Sequence, residues 1–494
     1  MSGATDVEPG ARPREWVGLG LLVLPCTLIS ANSNLLNLAV PALAADLTPG
    51  AGELLWISDV YVFLVAGLLL PMGALADRYG RRRMLLIGAG VFGAASVGAA
   101  LAPTAIALVA WRGLIGVGAA MIAPSTISLI RSMFRVPQQR AAALGIWTAG
   151  FAVGGILGPV IGGILIAAVT WRAVFLVTPP AMAALLALGP LLLPEHRSAT
   201  SRRIDVVGVA LGIAGILATV YAIKQVAAAA APALPLTSGI GGVALLVGFC
   251  FHLRRTAHPV LDPSLFRERA YTVPQAGNAL AFAVLYGTQL LIGQYLQAVL
   301  GMSPLEAGLW TIPSAVAYAV GGLLAPRLGA RLGAVHVLAL GLTVSATGFA
   351  IVGFIDTDSG LLPFVAGSIV YSLGLAPLYQ ATTASAMSAA PGDRAGVAGA
   401  TLETTTNLGG ALGIALFGSV ASAAYRVGTA GVGGGTQSIG DVQTTAAVLP
   451  AAQAGSLLDA ASAAFVDGFR LVVHIGAALL LLTAGVTARM LRRT

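Results

Sequence analysis

The sequence predicts an all-α membrane protein with fourteen transmembrane helices. Of its 494 residues, 57% are hydrophobic and only 9% are charged, which is too apolar a composition for a chain that folds in water. The apolar residues are gathered in stretches of about 20, the length that a helix needs to cross a bilayer core of about 30 Å. A membrane β-barrel would instead show short stretches of alternating apolar and polar residues, so helices are predicted throughout.

Breaks rich in charge, proline or glycine separate the apolar stretches and set the predicted boundaries. The fourteen predicted segments lie near residues 16–41, 54–76, 84–102, 105–130, 140–167, 173–193, 204–225, 236–253, 273–300, 305–326, 334–355, 361–386, 395–424 and 466–488. The stretch at about 427–464 is rich in Gly, Ala, Thr and Gln, and it is predicted to form a long, mobile loop outside the cell.

Arginines determine the predicted orientation, because positively charged loops stay on the cytoplasmic side of a membrane. Loops after odd-numbered segments carry few cations, with Arg172, Lys224 and Arg426 as the main exceptions. Both termini are therefore predicted to be cytoplasmic, in a multi-pass protein of a bacterial-type inner (plasma) membrane. The net charge of +8 follows from this topology and does not indicate a nucleic-acid partner. The basic loops after even-numbered segments contain Arg78, Arg81, Arg82, Arg83, Arg131, Arg135, Arg140, Arg197, Arg202, Arg203, Arg254, Arg255, Arg267 and Arg269.

A weak internal repeat indicates two related halves. GALADRYG after segment two resembles GLLAPRLG after segment ten, and Pro124 and Pro377 occupy similar places in segments four and twelve. Repeats of this kind place a substrate site between the halves near the bilayer midplane and predict alternating access. The predicted parts are a cytoplasmic tail at 1–15, a six-helix half at 16–193, an inserted helix pair with linkers at 194–272, a second six-helix half at 273–488 that includes the loop at about 427–464, and a cytoplasmic tail at 489–494.

Three motifs resemble those of a known family. GALADRYGRRR, residues 73–83, resembles the signature loop between helices two and three of the major facilitator superfamily. WRGLIGVGAA in segment four resembles the second motif of that superfamily, with Ile115 in place of the usual glutamine, and GFAVGGILGPVIGG in segment five resembles the antiporter motif of drug exporters. The resemblance implies the major facilitator fold and favours export over import.

Further stretches narrow the resemblance. LLWISDVYVFLVAG, WRAVFLVTPP, PVLDPSLFRERAY, SPLEAGL and the acidic helix GATLETTTNLGGALGIALFGS are similar to the fourteen-helix drug:proton antiporters of the QacA type, which export quaternary ammonium compounds and other lipophilic cations. The resemblance implies proton-coupled antiport of drugs or antiseptics, driven by the proton-motive force without a cofactor. The expected partners are a lipophilic small-molecule substrate, protons and the lipid bilayer, and the expected functional unit is a monomer.

Two carboxylates inside predicted helices are candidates for proton coupling and for binding a substrate cation. Asp59 lies about one turn into segment two, and Glu403 lies about two turns into segment thirteen. A carboxylate in hydrocarbon needs a partner, a cavity or a proton, and one that binds either a proton or a cation couples the two fluxes. Plainer interpretations stay open, in which Asp59 caps its helix and Glu403 links helices by hydrogen bonds. Arg112 inside segment four is interpreted as a proton-relay or structural partner.

The loop after segment two is predicted to act as a conformational latch formed by Gly73, Asp77, Arg78, Gly80 and Arg81. The resemblance implies that Asp77 faces a helix amino terminus in the other half, where attraction to the helix dipole would hold one state. The positive-inside rule explains the number of arginines but not the spacing of Gly73, Asp77 and Gly80.

Glycines recur every four residues along segment five, so they share one helix face and allow a neighbouring backbone to approach. Ordinary small-residue packing is the alternative to a seam that keeps an exchanger from leaking protons. The motif consists of Gly150, Gly154, Gly158, Pro159, Gly162 and Gly163, and its proline is expected to bend the helix.

Polar and aromatic residues within the segments are candidates for lining a cavity, because aromatic faces attract lipophilic cations. Lipid-facing or interfacial packing explains any single aromatic residue equally well. Asn32 stands where related antiporters place an aspartate, and Tyr318 occupies the middle of segment ten, which contains no carboxylate; fewer acids favour monovalent or neutral substrates. The candidates are Asn32, Asn34, Tyr61, Tyr286, Gln289, Tyr318, Tyr379 and Asn407.

Other classes of protein are disfavoured. An ATP-driven pump would need a G-x-x-x-x-G-K-[ST] loop, but the only lysine is Lys224 in AIKQ. The five histidines are scattered, so no metal site and no enzyme are predicted, and Cys26 and Cys250 are assigned to packing. Two transport alternatives stay open: a dedicated proton-coupled exporter of an endogenous metabolite, antibiotic or lipid, and an uncoupled facilitator.

Overall fold

Every regular element that the computed structural model describes is helical. The description covers residues 11–49, 51–195, 205–227, 233–256, 265–357, 360–389, 395–429, 439, 442, 446 and 449–491. By contacts, the chain divides into a first unit at Met1–Val206 and a second unit at Val207–Thr494. The predicted division into two six-helix halves and an inserted pair stays a prediction.

The first unit contains six long helices. The pairs α1 with α5, α2 with α4, and α3 with α4 and α6 are in contact, and Leu22, Phe92 and Phe134 are fully buried among them. The elements are α1 at Pro13–Leu47, α2 at Ala51–Tyr79, α3 at Arg81–Ala100, α4 at Ala105–Met133, α5 at Pro137–Ala168, a 3₁₀ stretch at Trp171–Val177 and α6 at Thr178–Leu192.

The second unit holds the remaining helices. Its main contacts join α9 with α14, α13 with α11 and α12, and α15 with α12 and α14. The elements are α7 at Val206–Ala227, which begins at the unit boundary, α8 at Ala233–Arg255, a 3₁₀ turn at Leu265–Arg267, α9 at Arg269–Gln294, a π-turn at Tyr295–Val299, α10 at Pro304–Trp310, α11 at Ile312–Leu332, α12 at Ala334–Val352, α13 at Leu362–Ala389, α14 at Ala395–Thr429 and α15 at Ala451–Leu491.

Twelve helices within the described ranges are long and apolar enough to cross a membrane. They support the predicted all-helical membrane class, whereas the predicted count of fourteen is not reached. Two further apolar stretches, Val60–Leu69 in α2 and Val206–Ala222 in α7, are shorter.

Two boundaries differ from the prediction for local reasons. Segment ten is split into α10 and α11 at Thr311, because Pro313 in the first turn of α11 has no backbone N–H to continue the hydrogen bonds of α10; a capping box of Ser303 and Glu306 starts α10 itself. Residues 451–464, predicted as loop, are the first part of α15, since the stretch AAQAGSLLDAASAAF is rich in Ala and Leu, which are strong helix formers.

Glycines of α5 allow α1 to approach its backbone. A Cβ added at Gly158 would lie 2.9 Å from the Ala31 carbonyl oxygen, and one added at Gly154 would collide with the carbonyl oxygen of Thr27. Gly150 and Gly162 instead face side chains, and a Cβ added at either would lie 2.5 Å from a methyl carbon of Val23 or Leu35. Glycines spaced by four on α5 therefore face residues spaced by four on α1, and we call this contact the α1–α5 seam.

The second unit repeats the arrangement with different residues. A Cβ at Gly409 would collide with the backbone of Ala279 on α9, and a Cβ at Gly413 would collide with that of Ala283. We call this contact the α9–α14 seam. Gly409 and Gly413 face backbone rather than the end of a flexible side chain. A larger residue at either position therefore fits only if the backbone of α9 shifts, which costs free energy.

We expect Gly158→Leu and Gly413→Leu to insert into the membrane but to lower the thermal unfolding midpoint, because overpacking at such a contact typically costs about 1–3 kcal/mol. Gly145→Leu on α5 and Gly418→Leu on α14 are matched controls, since an added Cβ there meets nothing within 4 Å. The four variants are compared by thermal unfolding in detergent. Equal midpoints for seam and control variants would contradict the close backbone approach.

Candidate functional site

Glu403 lies in the first half of α14 and is half-buried. The hydroxyl of Tyr379, on α13, donates a hydrogen bond to Glu403 Oε1. One turn further along α14, Asn407 Nδ2 donates to the Glu403 carbonyl oxygen over 2.8 Å, so this amide bonds the backbone and not the carboxylate. The carboxylate is thus held by a phenol from a neighbouring helix.

Aromatic rings from two more helices lie beside this pair. Phe282 on α9 has its ring centroid 5.7 Å from that of Tyr379 and 6.1 Å from that of Tyr286. Tyr286 on α9 and Tyr318 on α11 both interact electrostatically with Glu403. We call Glu403, Tyr379, Phe282, Tyr286 and Tyr318 the Glu403 cluster.

The Glu403 cluster has the chemistry of a site for positive charge. A carboxylate neutralises a cation, and aromatic faces attract one that is poorly hydrated. The same carboxylate can take up a proton instead. The bond from Tyr379 also links α13 to α14, so the plainer interpretation of Glu403 as a helix–helix link rests on the same contact.

Polar side chains join α9 to α14 beside the cluster. Asn278 Nδ2 donates to Thr406 Oγ1 over 2.7 Å, and Thr405 Oγ1 lies 3.0 Å from Gln275 Oε1. Asn278 and Gln275 are 0% and 3% exposed, so these bonds lie in the interior of the unit.

Arg112 is the centre of a second buried polar group, in the first unit. It is 1% exposed, its Nε donates to the Ile57 carbonyl oxygen over 3.0 Å, and its Nη1 donates to Asn32 Oδ1 over 2.6 Å. The guanidinium lies 4.8 Å from the centroid of the Tyr61 ring. Three predicted site residues, Arg112, Asn32 and Tyr61, therefore meet in one place, and Asn32 serves as an uncharged acceptor for an arginine.

Several predicted site residues have backbones in helices but side chains outside the described part of the structure. These are Asn34 in α1, Asp59 and Asp77 in α2, and Pro159 in α5. Their predicted roles stay predictions. Gln289 lies on α9, one turn beyond Tyr286, and is half-buried.

The predicted latch loop is a tight turn between α2 and α3. Gly80 has φ +112°, which favours glycine, and an added Cβ would lie 2.5 Å from the Glu195 carboxylate. Arg82 pairs with Glu195 at 3.6 Å and donates to the Leu193 carbonyl oxygen over 3.0 Å, which ties the turn to the end of α6.

The other latch residues lie around this turn. Arg81 donates to the Ser128 carbonyl oxygen of α4 over 3.3 Å, and Arg78 is exposed. Gly73 lies against Pro124, 3.6 Å from where its Cβ would be.

A third polar contact ties the end of α1 to the start of the 3₁₀ stretch. Asp46 accepts hydrogen bonds from Trp171 Nε1 over 3.0 Å and from Arg172. The bond from Trp171, followed by that from Arg172, holds the pKa of the Asp46 carboxyl below its ordinary value of 3.8. A lowered pKa means that the stabilisation is complete above the ordinary value and is lost only as the pH falls through the lowered one. Mild acidification of the solution around Asp46 therefore leaves its hydrogen bonds with Trp171 and Arg172 intact.

The sequence-based list of site residues omitted Gln275, Asn278, Phe282 and Glu195. The first three could have been found, because with Tyr286 they follow the spacing i, i+3, i+7, i+11 that places residues on one face of α9. Glu195 gave no such signal, since its role depends on the end of α6 meeting the α2–α3 turn.

Comparisons with known proteins agree on the class of molecule. A family model described as Major Facilitator Superfamily matches residues 24–253 and 276–435. The multidrug efflux pump LfrA of Mycolicibacterium smegmatis is 38% identical over 491 residues, which is 97% of each chain. The methyl viologen resistance protein SmvA of Salmonella typhimurium is 34% identical over 482 residues, covering 95% of this chain and 97% of that protein.

Among solved structures, the fold is similar to that of a bacterial homolog of the human lysosomal transporter Spinster. The TM-score is 0.64 at 18% sequence identity, with 97% of this chain and 98% of that chain covered. At this identity the likeness concerns the fold alone.

We expect Asn32→Leu to lower the thermal unfolding midpoint, because it removes the acceptor of a buried guanidinium bond at a cost of about 1–3 kcal/mol. Asn32→Asp retains an acceptor at the same position and should keep a midpoint close to that of the unaltered protein. Both variants are measured by thermal unfolding in detergent. A midpoint unchanged by Asn32→Leu would show that the Arg112–Asn32 bond contributes nothing to stability.

Proposed function

Because the chain belongs to the Major Facilitator Superfamily, it is a multi-pass membrane transporter of small molecules and not an enzyme, and we propose that it exports lipophilic, mostly monovalent cationic drugs in exchange for protons. Full-length relatives are an efflux pump for multiple drugs and a methyl viologen resistance protein. Their names support export of compounds that differ in structure. Bacterial relatives also suggest the plasma membrane as the location.

The observation that carries the proposal is the Glu403 cluster. A carboxylate held by Tyr379 and bordered by aromatic rings can bind a lipophilic cation or a proton, but not both at once. Competition of this kind couples the two fluxes: a proton that enters from outside displaces the cation, and a cation that binds from inside displaces the proton.

Energetics permit useful pumping by such a cycle. When two protons exchange for one monovalent cation, one net charge crosses the membrane, and about 2.3 kcal/mol becomes available at 100 mV. That free energy supports a substrate gradient of roughly fifty-fold. Strict one-for-one exchange would draw only on the pH difference.

We further propose the fourteen-helix arrangement of the resembling antiporters. The twelve helices that meet the length and hydropathy limits, together with the shorter apolar stretches in α2 and α7, correspond in order to the fourteen predicted segments. Helix α2 as a whole has 29 residues and α7 has 22, which is enough to cross a hydrocarbon core of about 30 Å.

Alternating access is the proposed mechanism, with the residues around Gly73 to Arg81 as latch and the α1–α5 seam as a close helix contact. The proposal includes cytoplasmic termini, a monomeric functional unit and no cofactor beyond the proton-motive force. Asp59 is retained as a second candidate carboxylate.

A dedicated exporter of one endogenous metabolite, antibiotic or lipid is the alternative within the same fold. Fold and motifs determine the transport cycle, and the cargo depends on the cavity lining. Transport of several unrelated cationic dyes by purified protein would favour the multidrug form, whereas transport of one compound class alone would favour the dedicated one.

Glu403→Gln is expected to weaken the binding of monovalent cations by about 5- to 150-fold, which corresponds to the loss of about 1–3 kcal/mol of charged hydrogen bonding, and to spare the binding of neutral substrates. Tyr379→Phe keeps the ring but removes the donated bond, so its effect should be smaller. Uptake of cationic, neutral and anionic dyes into proteoliposomes is measured under an imposed pH gradient, together with proton release on substrate binding.

Glu306→Gln is the matched control, because Glu306 is an exposed carboxylate of the same unit and glutamine also completes a capping box. Unchanged, pH-dependent cation transport by Glu403→Gln would refute the proposed role. Equal loss of cationic and neutral substrates, with a lowered thermal midpoint, would instead assign Glu403 to helix linkage.

A further inference from the structure

The interface between α9 and α14 contains buried amide groups whose hydrogen bonding is incomplete. Asn278 Oδ1 and Gln275 Nε2 find no partner among the described residues, although both side chains are at least 97% buried. A buried polar atom without a bond costs free energy comparable to a lost hydrogen bond. Two such atoms on one helix face therefore indicate a hydrogen-bonding partner other than a protein group.

The Asn278 amide leaves one polar atom over in either orientation. When Thr406 donates its one hydroxyl proton to the Leu402 carbonyl oxygen over 2.8 Å, it accepts from Asn278 Nδ2 over 2.7 Å, and Asn278 Oδ1 is the atom left over. If the amide is turned, Thr406 donates to the Asn278 oxygen and the amide nitrogen becomes the unbonded atom.

The Gln275 amide leaves an atom over in either orientation. Thr405 also has one proton, and both the Leu402 carbonyl oxygen at 2.9 Å and Gln275 Oε1 at 3.0 Å lie within its reach. If the amide is turned, Nε2 donates to Thr405 and Oε1 becomes the unbonded atom. One polar atom of Gln275 needs a partner in both cases.

The two residues are three apart on one helix, so their Cβ atoms lie about 5–6 Å apart on the same face. A single water molecule spans such a gap, since it can accept from one amide and donate to the other while keeping bonds to spare. We propose that the α9–α14 interface binds an internal water that bridges Gln275 and Asn278 and that serves Glu403 as the immediate proton donor and acceptor.

The position of Glu403 supports the proposed proton exchange between Glu403 and the bridging water. This claim rests on the proposed function. Glu403 precedes Thr406, the partner of Asn278, by three residues, so the carboxylate and the bridging water share a face of α14 within one helical turn. Among the residues that the structure describes, the other titratable groups facing Glu403 are the phenols of Tyr379, Tyr286 and Tyr318. Phenols stay protonated near neutral pH, so they do not exchange protons with Glu403 under these conditions. A bridging water can relay a proton, because it takes one up through one hydrogen bond as it passes another along a second.

Apolar replacements decide whether the amides are dry or hydrated. Gln275→Met and Asn278→Leu conserve size and strand no donor, because Thr405 and Thr406 retain Leu402 as acceptor. If the site is hydrated, each single variant breaks one side of the bridge and lowers the thermal midpoint by several degrees. The double variant removes the bridge altogether and should lose less than the sum of the two, a non-additivity expected of residues with a shared partner.

Thr288→Val on α9 is the matched control, since the Thr288 hydroxyl is buried and, among the described residues, bonds within its own helix to Val284 and Leu285. The second readout is substrate-induced proton release by the purified protein, followed by stopped flow. We expect release to slow at least several-fold in both single variants, with substrate affinity retained, and to keep its rate in Thr288→Val.

A raised midpoint in the single variants, with additive effects in the double variant, would mean that the amides are dry and would overturn the proposal. Lowered midpoints with an unchanged release rate would overturn the proton role of the water. A failure of the proposed function would give a different result. The Glu403→Gln variant, in which Gln275 and Asn278 are unaltered, would then still release protons when substrate binds.

Discussion

Hydrocarbon offers no hydrogen bonds, and the positions of the polar side chains in this protein follow from that constraint. Arg112, at 1% exposure, donates hydrogen bonds to the Ile57 carbonyl oxygen and to Asn32, and its guanidinium lies beside the Tyr61 ring. Glu403 is held by a phenol, and Asn278 is paired with Thr406. Each of these groups fixes the rotation of one helix relative to another. A small number of polar residues thus determines which faces of the apolar helices are in contact.

Close contacts between helices also determine which helices pack together and in which register. Both seams place glycines four residues apart against the backbone of a neighbouring helix, one in each unit. Apolar side chains gain little by leaving lipid for a protein interior, so close packing between small residues has to provide the attraction. In the second unit the seam also brings Gln275, Asn278 and Phe282 beside α14, which connects helix packing to the chemistry around Glu403.

The sequence allowed most of the helices and the α5 glycine face to be predicted, because both depend on local periodicity. It also singled out Glu403, but no short-range pattern identifies Tyr379 as the group that bonds its carboxylate. Thr405 and Thr406 turn toward α9. Which residues of two helices touch depends on their relative rotation, and a single sequence does not encode that rotation in any short-range pattern. The Ala-rich start of α15 lies within the predicted loop because its hydropathy is low, although Ala and Leu are strong helix formers.

The length of α15 has a mechanical consequence. Its 41 residues make a rod of about 60 Å, and even a tilt of about 40° leaves it near 46 Å tall against a hydrocarbon core of about 30 Å. The helix therefore extends beyond the hydrocarbon core, and its less apolar first part, with Asp459, is the portion suited to headgroups and water. A continuous rod transmits torque along its whole length, so a ligand or antibody fragment bound to the projecting end could resist rotation of the part buried in the bilayer.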